Sequence, residues 1–146
     1  MSLSNLRVLL ADDDEDDRLF FCDAIREIDS SVDITSVSDG QRLMDFLSVS
    51  SVSLPDILFL DMNMPCENGK ECLKEIREAA HLKNLVVIIY STSGDENQVA
   101  DAFAIGANGY IKKPNDFSSL KQVVAEMLLI NWKSSVKSQP KIIRLN

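Results

Sequence analysis

Residues 55–69 read PDILFLDMNMPCENG, and this stretch decides the fold. An uncharged apolar run from Ile57 to Leu60 ends on a single carboxylate, Asp61, after which MNMPCENG supplies a turn. A run this short, with no polar alternation, predicts a strand covered on both faces, as in a parallel sheet. Open α/β sheets place their ligand sites at the carboxyl ends of such strands. Asp61 is therefore expected on the rim of a sheet, and its chemistry depends on what the other strand ends deliver.

Working outward, the same pattern recurs. VLLA, ending at Ala11, predicts a first buried strand, and the acidic string Asp12 to Asp17 follows it. Leu19, Phe20, Ile25 and Ile28 then form an apolar stripe on a helix from about Glu15 to Ile28, with acids at the end that the helix dipole favours. Val32 to Val37 reads as a second strand, and a helix with Leu43, Met44, Phe46 and Leu47 inward follows Asp39 and Gly40. The serine-rich SVSSVSL, residues 48–54, reads as a solvated connection. Beyond Asp61, a helix from Gly69 through Ala80 turns Cys72, Leu73 and Ile76 inward.

LVVIIY, Leu85 to Tyr90, is the strongest buried-strand signal and runs into Ser91, Thr92 and Ser93. A helix from about Asn97 to Ile105 precedes Gly106, a left-handed C-terminal residue by position. Gly109 to Ile111 makes a fifth strand before Lys112, Lys113 and Pro114, and Asn115 or Asp116 caps a last helix from Phe117 to about Trp132. Strands alternating with helices call for right-handed crossovers and a parallel sheet with helices on both faces. Residues 1–133 are expected to form one domain with no output domain, and 134–146 a basic tail, loosely ordered unless IIRL at 142–145 docks.

Composition bounds the function. At 146 residues and 45% hydrophobic content there is material for one packed core and hardly two. The net charge of -8 argues against capture of nucleic acid or anionic lipid, both of which need a basic face. Cys22, Cys66 and Cys72 form no CxxC pair and are expected as reduced thiols. No signal peptide pattern and no apolar run approaching about 20 residues is present, so a soluble, cytoplasmic protein is expected.

In a parallel sheet all carboxyl ends lie on one edge. Asp12 and Asp13, Asp61, Ser91 and Lys113 each follow a different strand and are expected to converge there. Three carboxylates in one shallow, wet pocket repel one another unless a hard cation is present, and such a site suits Mg²⁺. With the charge cancelled, the Asp61 carboxylate can attack phosphorus and form an aspartyl phosphate. Lys113 is placed to pair with one phosphoryl oxygen and the Ser91 hydroxyl to donate to another. A carboxylate ionised at neutral pH needs no general base, which accounts for the lack of a histidine in the set.

These residues resemble the receiver domain of bacterial two-component response regulators, from about Arg7 to Ile130. The resemblance implies a flavodoxin-like fold, a doubly wound (βα)5 parallel sheet of five strands in the order 2-1-3-4-5. It implies Asp61 as phosphoacceptor, Ser91 as switch hydroxyl, Tyr110 as switch aromatic and Lys113 as the catalytic lysine. It further implies Mg²⁺ held by Asp12, Asp13, Asp61 and the backbone carbonyl of Asn63, and a cis peptide joining Lys113 to Pro114. A phosphoryl group would arrive from a sensor histidine kinase or histidine phosphotransfer protein, and the signal would leave through the face of the fourth helix, fifth strand and fifth helix. Neither nucleic acid nor membrane is implied as partner, and the protein is expected as monomer or homodimer. Two departures stand out: serine at 91 where threonine is frequent, and Thr92 where a smaller residue is usual, which is expected to slow entry of phosphodonor or water. The long serine-rich connection resembles stand-alone regulators, including those associated with bacterial phytochromes.

Bland readings and other chemistries compete. Asp14, Glu15, Asp16 and Asp17 read as the solvated start of a helix, His81 as a surface residue, and Trp132 as an aromatic closing the last helix. A calcium EF-hand from Asp12 would need glycine and glutamate where Asp17 and Asp23 stand. A haloacid dehalogenase-type phosphohydrolase would need DxDxT or DxDxV after the first strand, a pattern that Asp12 to Asp16 does not complete. A receiver-like adaptor whose output is independent of phosphorylation would be marked by a lost site residue, and none is lost.

Overall fold

A computed structural model describes residues 3, 5–48, 54–130 and 142–144. Most of the SVSSVSL connection, Trp132 and the tail up to residue 141 lie outside the described residues. Strands β1 (Arg7–Ala11), β2 (Asp33–Val37), β3 (Ile57–Leu60), β4 (Val86–Ser91) and β5 (Gly109–Lys112) alternate with helices α1 (Glu15–Ile28), α2 (Gly40–Ser48), α3 (Gly69–Glu78), α4 (Glu96–Ile105) and α5 (Phe117–Leu129). A short 3₁₀ turn, Ala80–Leu82, follows α3. With a sixth strand, β6 (Ile142–Arg144), the sheet is parallel throughout and flavodoxin-like, in the order β2-β1-β3-β4-β5-β6.

A sixth strand extends the expected five-stranded order. β6 (Ile142–Arg144) pairs with β5, setting Tyr110 opposite Ile143 and Ile111 opposite Arg144. The tail's IIRL thus docks in part, on an edge that would otherwise present unpaired backbone groups. Arg144 Nε adds a 3.0 Å ion pair to Glu126 on α5.

The period-two alternation within each strand divides the core into two layers. Leu10, Phe59, Ile88, Tyr90 and Ile111 point to one face, under Phe21 and Ile25 of α1 and Val124 and Met127 of α5. Leu9, Leu58, Leu60, Val87, Ile89 and Tyr110 point to the other, under Leu47 of α2, Leu73 and Ile76 of α3 and Ala102 of α4. Truncating a fully buried leucine such as Leu58 to alanine would cost roughly 2–5 kcal/mol.

Capping explains where the helices begin. Asp14 accepts the Asp17 N–H at 3.1 Å and Asp116 accepts the Ser119 N–H at 2.7 Å. Asn68 and Glu71 form a reciprocal capping box at the start of α3. Gly106 ends α4 at φ +130°, and a Cβ there would meet the Arg77 side chain. Among the described residues no helix is long and apolar enough to cross a membrane.

Candidate functional site

The sheet ladder continues one residue past several strands and so fixes the backbone of the candidate residues. The Asp12 N–H donates to Val37, the Asp61 N–H to Ala11, and the Lys113 N–H to Ser91, at 3.1, 2.9 and 2.6 Å. Asp12, Asp61, Ser91 and Lys113 consequently gather on the carboxyl edge, as expected. Asp12 and Ser91 are fully buried and Asp61 is 4% exposed. Their pull away from water has to be compensated locally, because an isolated buried charge is costly.

Lys113 provides the compensation. Its ammonium lies 2.8 Å from Asp12 Oδ2, 2.8 Å from Asp17 Oδ2 and 3.7 Å from Asp61 Oδ2, with the Tyr90 ring centroid 5.2 Å away. Burial alone would lower the Lys113 pKa, but the bonds to Asp12 and Asp17 outweigh it and hold the group above its ordinary value. Burial pushes the Asp61 carboxyl up to about 6; Lys113 and the Asn63 N–H oppose that rise, and Asp12 and Asp13 add to it. Asp12 is raised by burial in the same way, against the Lys113 and Asp14 hydrogen bonds.

Asp17 is the residue that sequence reasoning missed. Read as part of a solvated helix start, it instead reaches back from the first turn of α1 to Lys113. The neighbouring Arg18 Nη1 donates to the Asp12 carbonyl at 2.8 Å, so consecutive residues of α1 grip two strand ends. The available signal was position: Asp17 lies three residues after the capping Asp14, on the turn nearest the carboxyl edge.

One oxygen each from Asp12, Asp13 and Asp61 lie within 4.8 Å of one another. Beyond its ion pair with Lys113, the buried Asp12 Oδ2 accepts no hydrogen bond. With Asp17 included, three carboxylates, those of Asp12, Asp17 and Asp61, lie within 4 Å of one ammonium. The all-oxygen, electron-rich and partly solvated donor set of Asp12, Asp13 and Asp61 fits Mg²⁺. Asn63, implied as a carbonyl donor, is exposed two residues past Asp61, and its N–H donates to Asp61 Oδ1 at 3.2 Å.

Ser91 and Tyr110 meet at one residue. The Ser93 N–H donates to Ser91 Oγ at 3.2 Å, and the Tyr110 hydroxyl donates to the Ser93 carbonyl at 2.6 Å. Tyr110 is fully buried in this conformation. Thr92 is exposed at the rim. The Lys113–Pro114 bond is trans, since no cis peptide occurs among the described residues, and this corrects the cis expectation.

Gly69 packs against the same centre: a Cβ at this position would lie 2.3 Å from the Asp61 carbonyl oxygen. Its N–H donates to the Met62 carbonyl at 3.1 Å. The turn after Asp61 thus requires glycine for close approach, not for a left-handed conformation. His81 stands apart, exposed on the 3₁₀ turn with a ring nitrogen 3.2 Å from the Leu47 carbonyl.

Fold and site together define a doubly wound α/β domain that collects a carboxylate cluster, a hydroxyl and a lysine at one sheet edge. The family model described as "Response regulator receiver domain" matches residues 8–125. The chain belongs to that family. It is 26% identical over 121 residues to the response regulator Rcp1 of Synechocystis sp., covering 80% of this chain and 82% of that one. The crystal structure of the phosphorylated cyanobacterial phytochrome response regulator RcpA is similar with a TM-score of 0.78 at 28% identity, covering 85% of this chain and 91% of that one. Response regulator RPA3017 in red light signaling of R. palustris gives a TM-score of 0.78 at 28% identity, covering 88% and 96%.

Proposed function

We propose that this receiver accepts a phosphoryl group on Asp61 from a phosphohistidine and signals through its surface. The observation that carries the reading is Asp61, buried on the rim and 3.7 Å from the Lys113 ammonium, within an oxygen cluster that fits Mg²⁺. An Asp61 carboxylate oxygen attacks phosphorus as the phosphorus–nitrogen bond breaks, and the electron pair stays on the donor imidazole. Lys113 moves onto one phosphoryl oxygen. Ser91, whose Oγ accepts from the Ser93 N–H, turns its hydroxyl proton toward another. Mg²⁺, held by Asp12, Asp13, Asp61 and the Asn63 carbonyl, would neutralise charge on the transferring group.

The output follows from Ser93. A phosphoryl group that draws the Ser91 hydroxyl toward it disturbs the Ser93 N–H, and the same residue's carbonyl holds Tyr110. Ser91 and Tyr110 are therefore the switch, and the α4, β5, α5 face is the surface that reads it. The phosphoryl group shifts the population of that face by contacts it makes better in one state than in the other.

The receiver unit is residues 1–133, with 134–146 as an appended tail. It is a cytoplasmic signalling phosphoacceptor, monomer or homodimer, that promotes its own phosphorylation and dephosphorylation. The names of its similar relatives favour a phytochrome-type histidine kinase as the phosphoryl source. Incubation with acetyl phosphate and Mg²⁺ tests the reading. Wild type gains one phosphoryl group and Asp61→Asn gains none; equal labelling of the two overturns it.

A further inference from the structure

We propose that Asp17 is a positioning residue that holds the Lys113 ammonium away from Asp61 until a phosphoryl group is present. The inference rests on Asp61 being the phosphoryl site, and goes beyond it by assigning a competitor for the lysine. The contacts that carry it are unequal: Lys113 Nζ is 2.8 Å from Asp17 and 2.8 Å from Asp12, but 3.7 Å from Asp61. An ammonium has three N–H donors. Two of them are drawn to the Asp12 and Asp17 carboxylates, which seat the ammonium on their side of the pocket and leave the carboxylate meant to receive the phosphoryl group outside hydrogen-bond range.

The placement of Asp17 is itself held. The capping bond from the Asp17 N–H to Asp14 fixes the first turn of α1, and Arg18 anchors that turn to the Asp12 carbonyl. Asp17 side-chain atoms are 34% exposed, compared with 9% for Lys113. The lysine can thus leave Asp17 to water more easily than it can leave the fully buried Asp12. Asp12 keeps its contact through the cycle, while the Asp17 contact is exchanged for one to the phosphoryl oxygen. Every anion that binds at Asp61 competes with Asp17 for the same ammonium, and removal of the competitor strengthens that anion's hold.

The test uses the full chain and two readouts. Beryllium trifluoride anion with Mg²⁺ serves as the phosphoryl mimic, titrated against wild type, Asp17→Asn, Asp17→Glu and Asp16→Asn. Asp17→Asn is expected to bind the mimic about fivefold more tightly, the net worth of one ordinary hydrogen bond. Asp17→Glu, with a carboxylate still in reach, returns toward wild type. Asp16→Asn removes the same charge from an exposed neighbour and leaves the affinity at the wild-type value.

The second readout needs neither metal nor mimic. Lysine ammonium protons held by two carboxylates exchange slowly with water, so Lys113 gives an NH₃⁺ correlation in wild type and Asp16→Asn that is lost in Asp17→Asn. Unchanged mimic affinity in Asp17→Asn, an equal gain in Asp16→Asn, or a Lys113 correlation that persists without the Asp17 carboxylate overturns the proposal. If wild type binds no mimic at all, the assignment of Asp61 fails instead, and the ammonium signal alone decides whether Asp17 holds the lysine.

Discussion

Two enclosed cations sit at opposite ends of the sheet, and their partners differ in kind. At the amino edge Arg77 of α3 donates to the carbonyls of Gly106 and Leu85 and to Asn108 Oδ1, at 2.8, 2.9 and 2.8 Å, with a longer bond to Leu82. All of these acceptors are neutral, and Asn108 Oδ1 also takes the Val87 N–H. At the carboxyl edge the Lys113 ammonium is paired with carboxylates, at 2.8, 2.8 and 3.7 Å. A planar fork saturated by fixed dipoles has one arrangement and staples α3 to the α4–β5 connection. A point charge set at unequal distances among three carboxylates can be redistributed among them. Arg77 therefore serves stability, and on the proposed function Lys113 serves phosphoryl transfer, although both are cations drawn out of water by the same fold.

The contrast can be broken most forcefully at Arg77. Arg77→Leu strands carbonyls that the guanidinium now satisfies and is expected to cost about 3–4 kcal/mol in chemical denaturation, with no recovery on adding Mg²⁺. Lys113→Met is next, at about 3 kcal/mol in metal-free protein near neutral pH, because Asp12 and Asp61 lose their counter-charge. Here Mg²⁺ should restore most of the loss and bind more tightly than to wild type, as no ammonium competes for the carboxylates. Equal metal response in the two variants would remove the distinction between the two ends.

Asp61→Asn carries the opposite sign. The folded Asp61 pKa of about 6 exceeds the ordinary carboxyl value of about 4, so the folded state binds this proton more tightly. The associated stability is complete below about pH 4 and is lost as pH rises through about 6. Metal-free Asp61→Asn should thus be more stable than wild type by about 2–3 kcal/mol at pH 7–8, with the gain vanishing below pH ~4. The smallest effect is expected at Glu126→Ala, which breaks the half-exposed pair with Arg144 and should change stability by about 0.5 kcal/mol or less.

The sequence made the carboxyl edge legible because each strand announces its own end. Short apolar runs give way to polar residues at Asp12, Asp61, Ser91 and the Lys112–Lys113 pair, and parallel geometry then brings these ends to one edge. The amino edge left no such mark: Arg77 reads as an ordinary helical arginine, and only tertiary packing brings Gly106, Leu85 and Asn108 to its guanidinium. Asp17 was hidden for a different reason. Its acidic neighbours make it look like one more helix-start carboxylate, and the direction of its side chain depends on the angle between α1 and β5. β6 escaped because three residues carry too little pattern to show a strand before a sheet edge exists to receive them.

The central claim is that Asp61 itself carries the phosphoryl group, and trapping the acyl phosphate tests it most directly. Protein labelled with acetyl phosphate and Mg²⁺, reduced with borohydride and mapped by peptide mass spectrometry, should show homoserine at position 61 and at no other acidic residue. Homoserine at Asp12, Asp13 or Asp17, or a label that survives reduction on Ser91 or His81, would contradict the account.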